Sequence, residues 1–322
     1  MLARLAENLF WCGRYLVRAE DTARMVDVTW HMLLEAAPTA AARSWEDLLD
    51  VLHQTEAYAA SADGSDLVVA IRPDDVLRWL VSERENPGSV FSSALGAREN
   101  ARSVRELVSS EFWECVNDLH LKMHRRDLRG ELGDQPYDLF KTVKLSCQTI
   151  VGVAQETMPR DEAYLFLQLG RALERAEMTA RLVSVRWAQA EDDPSFQPWG
   201  TLLRSVGAME AFRKRRPGST DPRDVIGLLV LDGQLPRSVL FALQKAEAQL
   251  ERIGSRDDGM SARRLGRARA ALEYRDVHEV LDIGLEAMME RMQSEIREVT
   301  DAITQEYFRH APTGSMHTVG AA

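Results

Sequence analysis

The chain has 322 residues, with 40 lysines and arginines against 50 aspartates and glutamates, a formal charge of −10. Its 45% hydrophobic and 28% charged residues are those of a globular protein able to bury a sizeable core. The acidic balance argues against a general nucleic-acid binder, and no apolar run reaches the roughly 18 to 20 residues of a membrane span.

The opening Met1-Leu2-Ala3-Arg4-Leu5-Ala6-Glu7 lacks the apolar stretch of a signal peptide and leads directly into a helix. Leu5, Leu9, Cys12, Leu16, Ala19, Ala23, Val26, Trp30 and Leu33 recur in steps of four and three, which predicts a helix over 2–36 with a bundle seam. Small Ala19 and Ala23 on that seam let a neighbouring helix come close. Helices follow over 44–60 and 73–82. Asn86-Pro87 reads as an N-cap with proline at the first helical position, opening a helix over 87–129. A helix over 135–157 comes next, and Pro159-Arg160-Asp161 opens another over 160–191. Its seam is Phe166, Leu169, Leu173, Ala176, Ala180, Val183, Trp187 and Ala190. Further helices are expected over 197–213, 222–231 (opened by Asp221-Pro222), 236–254, 260–273 and 276–309. Residues 61–66, 192–196 and 216–221 read as loops, and 311–322 as a disordered tail. Period-two alternation is almost absent, so the expected class is all-α, about ten helices with no significant sheet.

Two blocks repeat. Gly13–Trp30 matches Gly170–Trp187 at 12 of 18 positions with an offset of 157, and Arg72–Val90 matches Asp221–Val239 at 8 of 19 with an offset of 149. Same order and similar offsets point to an internal duplication. The expected organisation is a first helical repeat over 1–158 and a second over 159–310, joined in one compact pseudo-two-fold body.

Several chemistries drop out. There is no Gly-Lys dipeptide, hence no P-loop, and neither G-x-G-x-x-G nor G-x-S-x-G occurs. None of the seven histidines has a glutamate three residues before it, as a di-iron bundle needs. His120 and His124 are spaced to share a metal, but Leu121 stands where a zincin has glutamate, and a solvated helix face explains them as well. The run Arg213-Lys214-Arg215-Arg216 suits either a phosphate or the end of a helix dipole. Cys12, Cys115 and Cys147 are odd in number and form no C-x-x-C, which fits a reducing cytoplasm rather than a disulfide framework. Only five basic residues are lysines, leaving 35 arginines. That bias suits buried ionic networks and is equally a signature of base composition.

A polar pattern survives in both copies: Arg14, Arg18, Glu20, Thr22 and Arg24 recur as Arg171, Arg175, Glu177, Thr179 and Arg181. Glu20–Arg24 and Glu177–Arg181 have the favourable helical order for ion pairs. Arg14 and Arg18 share another face with Glu7, Trp11 and Asp21, while Arg171 and Arg175 share one with Gln168 and Glu174. On a third helix Arg98, Arg102 and Arg105 form a stripe beside Glu99 and Asn100. These residues predict a polar seam where the two long helices meet. One meaning is a satisfied Arg–Glu network that fixes the register of a purely structural scaffold. The other is an anion pocket in which Arg14, Arg18, Arg98, Asn100, Arg102, Arg171 and Arg175 grip a phosphate or carboxylate. There Glu7, Glu99 and Glu174 would orient an amine or metal or act as acid and base, as in a metal-assisted transferase or hydrolase.

Three motifs in order resemble a known family. Ala6-Glu7-Asn8-Leu9-Phe10-Trp11-Cys12-Gly13-Arg14-Tyr15 with Arg18-Ala19-Glu20, then Ala97-Arg98-Glu99-Asn100-Ala101-Arg102, then Gly170-Arg171 with Leu173-Glu174-Arg175-Ala176, are similar to the bacterial alpha-E domain family. The resemblance covers residue 1 to about 310. It implies an all-helical component of a peptide-ligating or peptide-modifying system, associated with circularly permuted ATP-grasp amidoligase-like proteins and transglutaminase-like peptidases. ATP and Mg would then belong to the partner ligase, and the chain would hold no cofactor of its own. The chain departs from the family pattern at Val17, where a glutamate is usual in the first copy, while the second copy keeps Glu174.

Overall fold

A computed structural model describes residues 1–33, 38–61, 71–125, 136–192, 199–254 and 259–309, together with Leu128, Gly130 and Leu132. Among them are fifteen helices and no strand. The helices are α1 (Ala3–Leu33), α2 (Pro38–Val51), α3 (Thr55–Ser61), α4 (Pro73–Val81), α5 (Val90–Arg102), α6 (Ser110–Arg125), α7 (Pro136–Thr157) and α8 (Glu162–Asp192). They continue as α9 (Trp199–Ser205), α10 (Met209–Arg215), α11 (Pro222–Ile226), α12 (Val239–Ile253), α13 (Met260–Glu273), α14 (Val277–Ile283) and α15 (Leu285–Ile303). Wider π turns, Gly227–Leu231 and Thr304–Phe308, extend α11 and α15.

The count exceeds ten because four expected helices are broken. The helix expected over 44–60 divides at His53, whose φ of 53° is left-handed and ends α2. The one over 197–213 divides at Gly207 (φ 70°) and the one over 276–309 at Gly284 (φ 99°), where glycine takes the positive φ freely. The one over 87–129 starts three residues late and divides between Arg102 and Ser110. Asn86 does not cap it: its side chain folds the preceding turn, accepting from Gly88 N at 2.8 Å and donating to the Trp79 carbonyl at 2.9 Å. Ser89 is the cap, accepting from Ser92 N at 3.0 Å. The break at 103–109 has no glycine or proline, and Val104 within it stays buried, so the apolar spacing runs on across it. Asp221 does cap α11, accepting from Arg223 N at 2.8 Å with Pro222 behind it. The expected tail at 311–322, and most of the loops at 61–66 and 192–196, lie outside the described residues.

Helices α1 and α8 form the centre. Leu9, Cys12, Leu16, Ala19, Ala23 and Val26 of α1 and Leu169, Leu173, Ala176, Ala180 and Val183 of α8 are completely buried or nearly so. Against α1 pack α5 and α7, and α6 packs on both of those. Against α8 pack α12 and α15, and α13 packs on both of those. The three cysteines are free, and among the described residues no helix is long and apolar enough to cross a membrane.

Candidate functional site

The site begins where α1 and α8 touch. A methyl group on Gly13 would sit 2.2 Å from the Leu167 carbonyl oxygen, and one on Gly170 would sit 2.0 Å from the Phe10 carbonyl oxygen. Each glycine therefore seats the other helix's backbone, which only a residue without Cβ permits. Met1 pairs with Glu162 at 2.6 Å and Glu20 with Arg175 at 3.5 Å, so contacts ascend together and the two helices run in the same direction. Side chains that follow the glycines on each helix are forced into the neighbour's space.

On one side of the crossing the charges are locked. Arg14 donates from Nε to Glu174 at 2.6 Å, from Nη2 to Glu177 at 2.6 Å and from Nη1 to Thr300 of α15 at 3.1 Å. Arg18 holds the same Glu174 carboxylate through Nε at 2.7 Å and Nη2 at 3.1 Å. Arg181 pairs with Glu177 at 2.9 Å. Aromatic rings cover the guanidinium groups: Arg14 lies 5.3 Å from the Trp11 ring centre and Arg18 5.4 Å from that of Tyr15. Burial acts to raise the Glu174 pKa, but Arg14 and Arg18 outweigh it and hold the carboxyl at about 2. At neutral pH this glutamate is an ion with both oxygens engaged, poorly placed to act as a base.

A second network lies further along. Glu20 accepts from Arg237 at 2.6 Å, Arg24 at 2.7 Å and Gln148 at 3.2 Å, and Arg237 also reaches Asp21 at 2.8 Å. Against the cost of burial, Arg237, Arg175 and Arg24 keep Glu20 at about 2. For Asp21 burial prevails and the pKa is raised. Lys144 of α7 closes on Asp27.

Folded pKa values near 2, below the ordinary 4.5, mean that Glu174 and Glu20 contribute stability above about pH 4.5 and lose it as pH falls toward about 2. Asp21 works in the opposite sense but is a single group. We expect the urea midpoint to hold steady from neutral pH to about pH 5 and to fall steeply below it. A midpoint unchanged at about pH 3 would contradict the network.

The opposite side of the crossing is open. Arg171 is 9% exposed, and its only polar contact among the described residues is from Nη1 to Gln168 of its own helix. Among the described residues Arg175 has only the long 3.5 Å contact with Glu20. Arg171 Nε, Arg175 Nε and Gln168 Nε2 are buried without a hydrogen-bond partner. All three residues line a cleft of about 320 Å³ between α7, α8 and α12, with Tyr164, Ala172, Pro236, Phe241 and Lys245 among its walls. Among the described residues no acidic side chain lines it. Burial first, and then the charge of Arg175, pushes the Arg171 pKa below its ordinary value. A guanidinium still remains charged under such a shift, so Arg171 holds its charge at a cost.

The other expected site residues are elsewhere engaged. Arg98 binds Asn117 of α6 at 2.9 Å and pairs with Glu99, and Arg102 pairs with Glu99 at 2.6 Å from an exposed position. Asn100 donates to the Gly96 carbonyl of its own helix at 2.7 Å. Glu7 is half-buried on α1. Among the described residues no three His, Cys, Asp or Glu side chains are grouped to hold a metal. His120 and His124 stack with ring centres 5.6 Å apart, beside Phe91. Arg213, Arg215 and Arg216 of the basic run pair with Glu210, Asp232 and Asp224. Sequence reasoning missed Arg237 and Thr300. Nothing marked Arg237, because the matching position in the first block is Gly88.

Residues 1–308 match the Alpha-E family, described as a predicted alpha-helical domain with a conserved ER motif, and the chain belongs to that family. Of its Glu-Arg dipeptides, Glu174-Arg175 at the crossing is the one whose glutamate is buried. The chain is similar to "Uncharacterized protein Rv2567" of Mycobacterium tuberculosis strain H37Rv and to "Uncharacterized protein Mb2597" of Mycobacterium bovis. Each is 26% identical over 330 residues, covering 94% of this chain and 36% of the relative. The chain thus spans about a third of the length of these curated relatives. No solved structure matches it significantly.

Proposed function

We propose that this Alpha-E domain is a binding component of an ATP-grasp-linked peptide-ligation or peptide-modification system in the cytoplasm, holding an anionic substrate at the Arg seam for a partner that performs the chemistry. The observation that carries this reading is the division of the crossing. Glu174 is consumed by Arg14 and Arg18, whereas Arg171 and Arg175 line a cleft, their Nε atoms without a partner and Arg175 held only by the long contact with Glu20 among the described residues. A site rich in unpaired buried donors and poor in a base or nucleophile binds anions more readily than it transforms them. The stand-alone alternative, a metal-assisted transferase or hydrolase using Glu7, Glu99 and Glu174, finds no grouped ligand set among the described residues.

Two things support dependence on a partner. The family resemblance implies ATP-grasp and transglutaminase-like associates, with ATP and Mg on the ligase. The relatives, moreover, carry nearly two thirds of their length outside the matched region, so in them an Alpha-E-like segment is joined to further polypeptide. We also infer that the domain arose by duplication, with 1–158 and 159–310 as its repeats. The packing of α5, α6 and α7 around α1 is matched by that of α12, α13 and α15 around α8. Ser89 and Ser238, 149 residues apart, cap matching helices.

The experiment is ATP-dependent ligation by a purified circularly permuted ATP-grasp protein, with and without this chain, read by mass spectrometry. We expect co-purification of the two and a product whose yield or identity changes when the chain is added. No association at micromolar concentration, together with an unchanged product, would overturn the reading.

A further inference from the structure

We propose that the cleft between α7, α8 and α12 is a carboxylate-binding site, in which Arg171, Arg175 and Gln168 receive the acidic end of an amino acid or peptide in the place of a protein glutamate. This deepens the binding-component reading to one cleft and one ligand class, and rests on that reading for the presence of an anionic substrate.

The argument comes from comparing the two sides of the crossing. At an offset of 157, Arg171 and Arg175 match Arg14 and Arg18. The glycines beside them make reciprocal contacts, Gly13 on the Leu167 carbonyl and Gly170 on the Phe10 carbonyl. Arg14 and Arg18 enclose one carboxylate, that of Glu174. The residue matching Glu174 is Val17, buried and apolar, so the second arginine pair lacks the carboxylate that the first pair encloses, and its nearest acidic partner is Glu20, 3.5 Å from Arg175. A second difference makes room. Trp11 and Tyr15 stack on the first pair, and the Tyr15 ring lies so close to Gly96 of α5 that a methyl there would be 3.0 Å away. The matching residues Gln168 and Ala172 are smaller or polar, and at the place of Gly96, 149 residues on, stands Lys245. Where the first side is filled by aromatic rings, the second is an open cleft with another cation at its wall.

The ligand class follows from the pattern already present. Two guanidiniums at this spacing suit a singly charged planar carboxylate, as Glu174 demonstrates, and a carboxylate offers two oxygens to guanidinium donors. Ala172, Pro236, Ala242 and Phe241 provide apolar wall for the carbon chain behind it. About 320 Å³ falls at the small end of ligand sites, enough for one acidic residue. Such a ligand would also offset the burial of Arg171 and its repulsion by Arg175, which lower its pKa despite the nearby Glu20.

Isothermal titration of the whole chain with N-acetyl-L-glutamate tests this, with its dimethyl ester and inorganic phosphate as comparison ligands. We expect the diacid to bind, the ester not to bind, and phosphate to bind more weakly. Arg171→Gln should weaken the diacid at least tenfold without lowering the melting temperature. Ala172→Tyr, which fills the cleft and leaves the arginines alone, should do the same. No binding of the diacid, equal binding by both variants, or tighter binding of phosphate would each overturn the proposal. Failure of the ligation reading is separable: diacid binding without any partner association removes the ATP-grasp role and leaves the cleft, and the reverse result removes the cleft alone.

Discussion

Replacing Gly170 by alanine is expected to lower the unfolding free energy by more than about 3 kcal/mol, through overpacking of two backbones that have no side-chain slack between them. The added carbon would meet the Phe10 carbonyl at 2.0 Å, and relief requires α1 and α8 to separate along their whole contact. Gly13→Ala should behave similarly, because its neighbour is the Leu167 carbonyl at 2.2 Å. Gly152→Ala on α7 is the control: a methyl there meets nothing within 4 Å, and removing a helical glycine is worth roughly 0.5 to 1 kcal/mol of added stability. Urea denaturation of the three variants checks this. Gly170→Ala and Gly152→Ala within about 1 kcal/mol of each other would refute the close crossing.

Arg14→Ala has the second large expected effect, a loss of about 3 to 5 kcal/mol. The substitution removes one partner of a buried network: among the described residues it strands Glu174, 2% exposed, with Arg18 alone, and leaves Glu177 only Arg181. An uncompensated buried carboxylate costs more than the net worth of the pair it leaves. A double-mutant cycle with Glu174→Gln should give coupling above about 1 kcal/mol, since removing the charge as well relieves part of the loss. Additive losses would mean that the two groups do not share one network.

Much of this was legible in the chain because helical seams and charge pairs write themselves at fixed spacing. The two long helices, their meeting, and Glu20–Arg24 and Glu177–Arg181 follow from steps of three and four. Helix breaks were not legible where nothing in the spacing records them. Val104 stays in the core while the backbone leaves the helix, and His53 is an ordinary residue in an unusual conformation. The third-helix stripe of Arg98, Arg102 and Arg105 rests on spacing alone. Spacing cannot tell which face meets α1 and which meets α6, where Arg98 finds Asn117. Arg237 is hidden for a related reason: its charge occurs in one block only, with Gly88 at the matching position of the other.

The cleft shows the same limit from the other direction. Matching arginines make the seam symmetric in sequence, yet Trp11 against Gln168, Tyr15 against Ala172 and Val17 against Glu174 are what separate a closed network from an open one. Each difference reads as ordinary divergence until the side chains are seen to border one space.

Equilibrium urea unfolding of Arg14→Ala and Arg171→Ala, measured side by side without ligand, tests this division most directly. A locked network on one side and an unpaired cation on the other predict a loss of about 3 kcal/mol or more for Arg14→Ala and less than about 1 kcal/mol for Arg171→Ala. Equal losses would contradict the account, because they would mean that Arg171 is a structural ion-pair member like Arg14.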